Sequence, residues 1–220
     1  MTSNDEPILI QNLIDSGIAT FLNVVLQSDD PKIIKNACLL ISNICCGSLG
    51  QIGNLFKNNI FIELIKVSKN IYEALAFNSK YNNEYYRCLI DAFREINFSF
   101  ASTIINSIYE KIIPFARYDN CIVVFFLVKG LDILNIKDYE DTECLEVILE
   151  ALYKLIIFDR DEIEKVGNNN SKCLNFAEFM EKNGLKENLE KLLLTNKECS
   201  LISIDAKRIY NDLFNDYKQK

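Results

Sequence analysis

Apolar residues recur along most of this chain at the i, i+3, i+4 spacing of a helix face, in long stretches broken by few turn residues. "PKIIKNACLLISNIC", from Pro31, is the first clear case. Ala37, Leu40, Ile41 and Ile44 form its stripe, Pro31 suits a first helical position, and Ser28, Asp29 and Asp30 before it supply N-terminal capping chemistry. The pattern returns in "NEYYRCLIDAFREINFSF", "CIVVFFLVKGLDILN", "TECLEVILEALYKLIIF" and "CSLISIDAKRIYNDLF". Each such face can be buried only against neighbouring helices.

A longer regularity overlies the helical one. "LIDSGIATFLNVVL" from Leu13 aligns with "LFKNNIFIELIKVS" from Leu55: an apolar residue stands four before a turn residue, Gly17 or Asn59, and an apolar helix follows. The two turns lie 42 residues apart, inside the roughly 40–47 of armadillo and HEAT repeats. A third copy, "IYEKIIPFARYDN", starts at Ile108 with Ile112 at the turn, and a fourth, "MEKNGLKENLEKLLL", restores a glycine at Gly184. The later intervals are longer, so insertions are expected at Ser68–Glu84, at Asn135–Glu143 and at Asp159–Lys172, the last an exposed loop around Gly167 to Lys172. The expected fold class is all-α, an armadillo-type right-handed helical solenoid of about four repeats. The repeats run roughly over 12–54, 55–107, 108–175 and 176–216, in a single array over 1–220, with a single helical bundle as the alternative. In the last repeat, Ile204, Ile209 and Leu213 are expected to point inward.

Composition narrows the class further. Seven glycines and three prolines in 220 residues are too few for the turns of a sandwich or barrel. There is no histidine, which removes a Ser-His or Cys-His pair and any zinc site that needs imidazole. The eight cysteines show no CxxC spacing and sit among apolar residues, as reduced buried thiols do. Cys45 and Cys46 point about 100° apart on a helix and read as packing residues. With no Gly-rich phosphate loop, no metal-ligand spacing and no paired-carboxylate cleft, the chain is expected to be non-enzymatic and to need no cofactor. A net charge of -7 disfavours nucleic acid and anionic membranes as partners and favours basic ones. "CIVVFFLVKGLDIL" comes nearest to a membrane span, but Lys129 and Asp132 interrupt it.

At "DDPKIIKNACLLISNICCGSLGQI" the sequence resembles importin-α, the armadillo-repeat adaptor that carries nuclear localisation signals. That family repeats a helix reading Lys-Glu-Ala-x-Trp-x-x-Ser-Asn-Ile, followed by small residues, Gly and later Gln-Ile. Lys35, Ala37, Ser42, Asn43, Ile44, Gly47, Gln51 and Ile52 match it. "LNFAEFMEKNGLKENLEKLLLTNKECSLISIDAKRIYNDLF" is similar to the family's closing repeat. The resemblance runs from Gln11 to Phe214 and corresponds to the family's last four repeats, without its basic autoinhibitory segment or its major signal-binding repeats.

The resemblance implies an adaptor in cytoplasm and nucleus that binds basic localisation-signal peptides and meets an export or import carrier of the importin-β type. In the family, a ladder of Asn residues clamps the peptide backbone, because a carboxamide offers both donor and acceptor. A Trp one turn earlier gives lysine stems an aromatic wall, and an acidic residue three before the Trp pairs with the charge. Carried over by position, the first site is Asn43 with its neighbour Ser42, and Leu39 stands where the Trp would be. The second is Asn97 with Phe93 at the Trp position; the acidic position holds Asn36 and Ile90. In "VKGLDILN" the corresponding residue is Ile133, or Asn135 in a shifted register. The residues alone also permit plainer readings: Asn43 as a solvated helix end, Phe93 as core. The chain has no Trp, and the alternative function is a divergent armadillo scaffold for protein–protein interaction that does not bind localisation signals.

Overall fold

Asp30 and Pro31 start the first long helix. The Asp30 backbone is extended, its carboxylate accepts from the Lys32 N–H at 2.9 Å, and Pro31 takes the first helical position, where a missing N–H costs nothing. The computed structural model describes residues 6–77, 84–107, 116–135, 142–166, 176–196 and 200–215. Among the described residues the fold is all-α: α1 (Glu6–Asp15), α2 (Ile18–Val25), α3 (Pro31–Cys45), α4 (Leu49–Lys57), α5 (Ile60–Phe77), α6 (Glu84–Ser107), α7 (Ala116–Leu134), α8 (Thr142–Val166), α9 (Phe176–Lys182), α10 (Leu185–Thr195) and α11 (Leu201–Tyr210). A π-helical turn, Asn211–Asn215, extends α11.

The repeat is visible in one backbone detail. Gly17, Asn59 and Gly184, the three turn residues of the sequence alignment, are the residues with left-handed φ among those described, at 83°, 59° and 93°. Each sits between a short helix and its successor, at α1–α2, α4–α5 and α9–α10. Their N–H groups donate three residues back at 3.0 Å in all three copies, to the carbonyls of Ile14, Phe56 and Glu181. The preceding side chain closes the same end: Ser16 Oγ donates to Leu13 O at 2.7 Å, Asn58 Nδ2 to Asn54 O at 2.8 Å, Asn183 Nδ2 to Phe179 O at 2.7 Å. A left-handed residue with no room for continued helix is what turns the chain, by 78° between α1 and α2. The third aligned turn, at Ile112, lies outside the described residues.

Two compact units divide the chain, Met1–Thr103 and Ile104–Lys220. Within the first, α1 packs on α4 and α2 on α5, while α3 meets α6 through Lys32–Glu84 and Lys35–Asp91 ion pairs at 2.6 and 2.7 Å. Asn23 Nδ2 on α2 donates to Asn58 O in the next turn at 2.9 Å. Its core includes a stack of Phe56 on Phe61 at 4.2 Å, with Phe100 at 6.5 Å from Phe61. In the second, α7 packs on α10 and α8 on α11, and Asn188 Nδ2 of α10 donates to Val128 O of α7 at 2.8 Å. Like helices therefore stack on like within each unit, the packing rule of a helical solenoid, and the apolar faces are buried between copies.

Three sequence expectations change. Ser68–Phe77 was expected to begin an insertion, but α5 continues through it because Val67, Ile71 and Leu75 keep a buried helical stripe; 78–83 lies outside the described residues. Likewise α8 extends to Val166, while the loop expected at Gly167–Lys172 and most of Asn135–Glu143 lie outside them. On α11 the inward residues are Ile202, Ala206, Ile209 and Leu213, and Ile204 is exposed, since the first four share one helical face at i, i+4, i+7 and i+11 and Ile204 lies off it. No single helix among the described residues is long and apolar enough to cross a membrane.

Candidate functional site

The face that α3 turns outward follows from what it buries. Ala37, Cys38, Ile41, Ser42, Ile44 and Cys45 go inward, so Lys32, Asn36, Leu39, Asn43 and Cys46 are left at i, i+4, i+7, i+11 and i+14 as one exposed stripe. Leu39 is 41% exposed, and Asn43 stands one turn beyond it, within α3. Cys46 is the exposed C-terminal residue of the pair that sequence read as packing, while burial pushes the Cys45 thiol up to about 12, which keeps it protonated and inert.

Ser42 points the other way. Its Oγ lies 2.6 Å from Glu95 Oε2 on α6 and 2.8 Å from the Leu39 carbonyl. A hydroxyl has one proton, and the carboxylate, an acceptor only, takes it. Ser42 is thus a buried tie between α3 and α6 and does not face outward.

Phe93 and Asn97 are both fully buried. The carboxamide Nδ2 of Asn97 donates to the Phe93 carbonyl at 2.8 Å, and its Oδ1 is buried with no hydrogen-bond partner. The reason is register. On α6 the inward stripe is Phe93, Ile96, Asn97 and Phe100, and the outward one is Glu84, Arg87, Asp91, Arg94 and Phe98. A Phe-x-x-x-Asn match therefore falls on the core side, and the structure does not bring Phe93 and Asn97 to the surface beside Leu39 and Asn43. Of the two further positions, Asn135 Oδ1 accepts from Thr195 Oγ1 at 3.1 Å, and Ile133 is half-buried.

Charge on this face is arranged in pairs. The Asp91 carboxylate bonded to Lys35 holds that ammonium above its ordinary pKa, against some desolvation, and Glu84 does the same for Lys32. Reciprocally, Lys32 lowers the Glu84 carboxyl. Arg94 pairs with the buried Glu95.

A second candidate lies on α8, which the Asn pattern does not mark. Glu150 and Tyr153 stand three apart in "EALYKLII", the acid-x-x-aromatic spacing, with Ile157 where an Asn would follow. Glu150 is exposed and pairs with Lys154 at 2.9 Å. The guanidinium of Arg208, on α11, sits 3.8 Å from the Tyr153 ring centroid. The ring therefore already holds a cation. The signal was present in the sequence, but only its acid and aromatic were, without the Asn that directed attention to α3 and α6.

No protein-family model matches the sequence, and no curated protein matches it. Among solved structures the chain is similar to a designed armadillo repeat protein, at 18% sequence identity and a TM-score of 0.44, over 94% of this chain and 87% of that one.

Proposed function

We propose that the chain is a non-enzymatic armadillo-type scaffold that binds a partner protein along the exposed stripes of its long helices. One observation carries the reading: like helices stack on like, which commits their inner faces to the core and leaves α3 and α6 each one outward stripe, with Leu39 and Asn43 one turn apart on that of α3. An extended segment needs partners for its own N–H and C=O groups, and a carboxamide beside an apolar side chain offers both kinds of contact. The test is selection of unstructured peptides on the full chain, followed by fluorescence anisotropy on the variants Leu39→Asp and Tyr153→Ala. Selected peptides should lose at least about tenfold in affinity through one or other change. Absence of any enriched peptide, or binders indifferent to both variants, would overturn the scaffold.

The finer reading, an adaptor for basic localisation signals in nuclear import, resting on the importin-α resemblance, is favoured by Tyr153. Its ring accepts the Arg208 cation with Glu150 one turn away, so a lysine or arginine of a signal peptide can take the same place. Arg208→Ala should then tighten a lysine-rich peptide by about threefold or more, and Tyr153→Ala should weaken it by a similar factor. A carrier of the importin-β type and residence in cytoplasm and nucleus belong to this same reading. Equal affinities in all three proteins would remove the import role and leave the scaffold.

A further inference from the structure

We infer that the outward face of α3 and α6 binds an extended acidic segment of a partner protein. This rests on the scaffold reading and names the chemistry of one of its faces. Charge geometry carries it. Lys35 meets Asp91 at 2.7 Å, and Arg94 meets Glu95; in both pairs the cation is the outer member, with side-chain exposures of 37% against 19% and 35% against 8%. The carboxylates lie beneath their cations, and Glu95 is committed further by the Ser42 hydroxyl. Arg87 is exposed on the same stripe, one turn before Asp91. Lys32 adds a cation at the open end of α3, and there alone the paired carboxylate, Glu84, is the more exposed partner, at 76% against 61%.

On a chain of net charge -7, this face thus presents Arg87, and Lys35 and Arg94 as the outer members of their pairs with Asp91 and Glu95. Ser42, between Leu39 and Asn43 in sequence, bonds Glu95, and Arg94 pairs with that same carboxylate. Carboxylates of an extended segment can meet Arg87, Arg94 and Lys35, its apolar residues can meet Leu39, and its backbone can meet the Asn43 carboxamide. A basic segment meets like charge at the same positions, which costs affinity. This is the reverse of the partner expected for Asn43 from the resemblance.

Two labelled peptides of equal length, one alternating Glu and Leu and one alternating Lys and Leu, decide it by anisotropy with the full chain. The Glu-Leu peptide should bind, should weaken at least about fivefold in Arg87→Glu and in Leu39→Asp, and should weaken with added salt. Arg87 and Leu39 are exposed, and circular dichroism of both variants checks the fold. No binding of the Glu-Leu peptide, affinity unchanged by both variants, or a Lys-Leu peptide whose binding depends on Leu39 would overturn the inference. Binding of the Lys-Leu peptide that depends on Tyr153 alone bears on the import reading and leaves this face to the Glu-Leu result.

Discussion

Asn97 and Asn43 carry the same side chain, each four residues after a large apolar one, and differ in burial and pairing. Asn97 is fully buried with its Oδ1 unpaired, whereas Asn43 is exposed on α3. Changing Asn97 to Asp places a carboxylate where only an unpaired oxygen already sits, among Phe93, Ile96 and Phe100. It should cost about 3 kcal/mol or more, or force the group to stay protonated. The same chain with Asn43→Ala should stay within about 0.5 kcal/mol of the original. Urea melts of the two variants read this directly, and equal midpoints would mean that Asn97 is not enclosed. The pair also marks how far the site was legible. The exposure of Asn43 was, because the buried stripe of Ala37, Ile41 and Ile44 leaves it on the other side of α3; Leu39, itself apolar, was singled out by the resemblance alone. Phe93 as a core residue was one of the readings the residues permit, but the burial of Asn97 was not, because α6 carries aromatics on several sides, Phe93, Phe98 and Phe100, and a spacing of four fits the buried stripe as well as the exposed one.

At the scale of the element, the turns were the most legible part of the fold, since a left-handed residue leaves a chemical signature that periodicity does not. Gly17 and Gly184 are glycines and Asn59 is the side chain that tolerates that region best. A Cβ at Gly17 meets nothing within 4 Å, so Gly17→Ala isolates backbone strain from packing. It should lose about 1–2 kcal/mol. Gly17→Asn should lose less, matching what the second repeat already uses at position 59. Thermal melts that rank Ala at or above Gly here would deny the left-handed turn. Helix ends were less legible. The run Ser68–Phe77 is polar enough to resemble an insertion, yet Val67, Ile71 and Leu75 at four-residue spacing hold it in α5. The phase of α11 rests on spacing: Ile202, Ala206, Ile209 and Leu213 fall at i, i+4, i+7 and i+11 on one face, and Ile204 lies off that stripe.

At the scale of the whole molecule, a helix in a repeat buries its apolar face only against its neighbours, so removing one uncovers surface on every helix it touched. In the second unit α11 packs on both α8 and α10. It buries Ile202, Ala206, Ile209 and Leu213, covers matching apolar surface on both neighbours, and adds polar ties: Arg160 Nη2 donates to the Asp212 carbonyl at 2.8 Å, and Arg208 rests on Tyr153. Ending the chain at Thr195 removes all of these at once. Each large side chain returned to water costs about 1.5 to 3 kcal/mol. Several on each side of the lost contact are comparable with the whole margin of a domain, about 5 to 15 kcal/mol. The surface ties matter less, because a cation–π contact at an exposed site contributes only about 0.5 to 1 kcal/mol. The charge-neutral change Ile209→Ala should therefore destabilise far more than Arg208→Ala, by about 2 to 5 kcal/mol against less than about 1. The truncated chain should aggregate, or melt well below the full chain. Light scattering coupled to size exclusion, followed by a circular-dichroism melt, separates the outcomes. A truncated chain that elutes as a clean monomer and melts within a few degrees of the full one would mean that α11 is an appendage and that α8 and α10 do not need its cover.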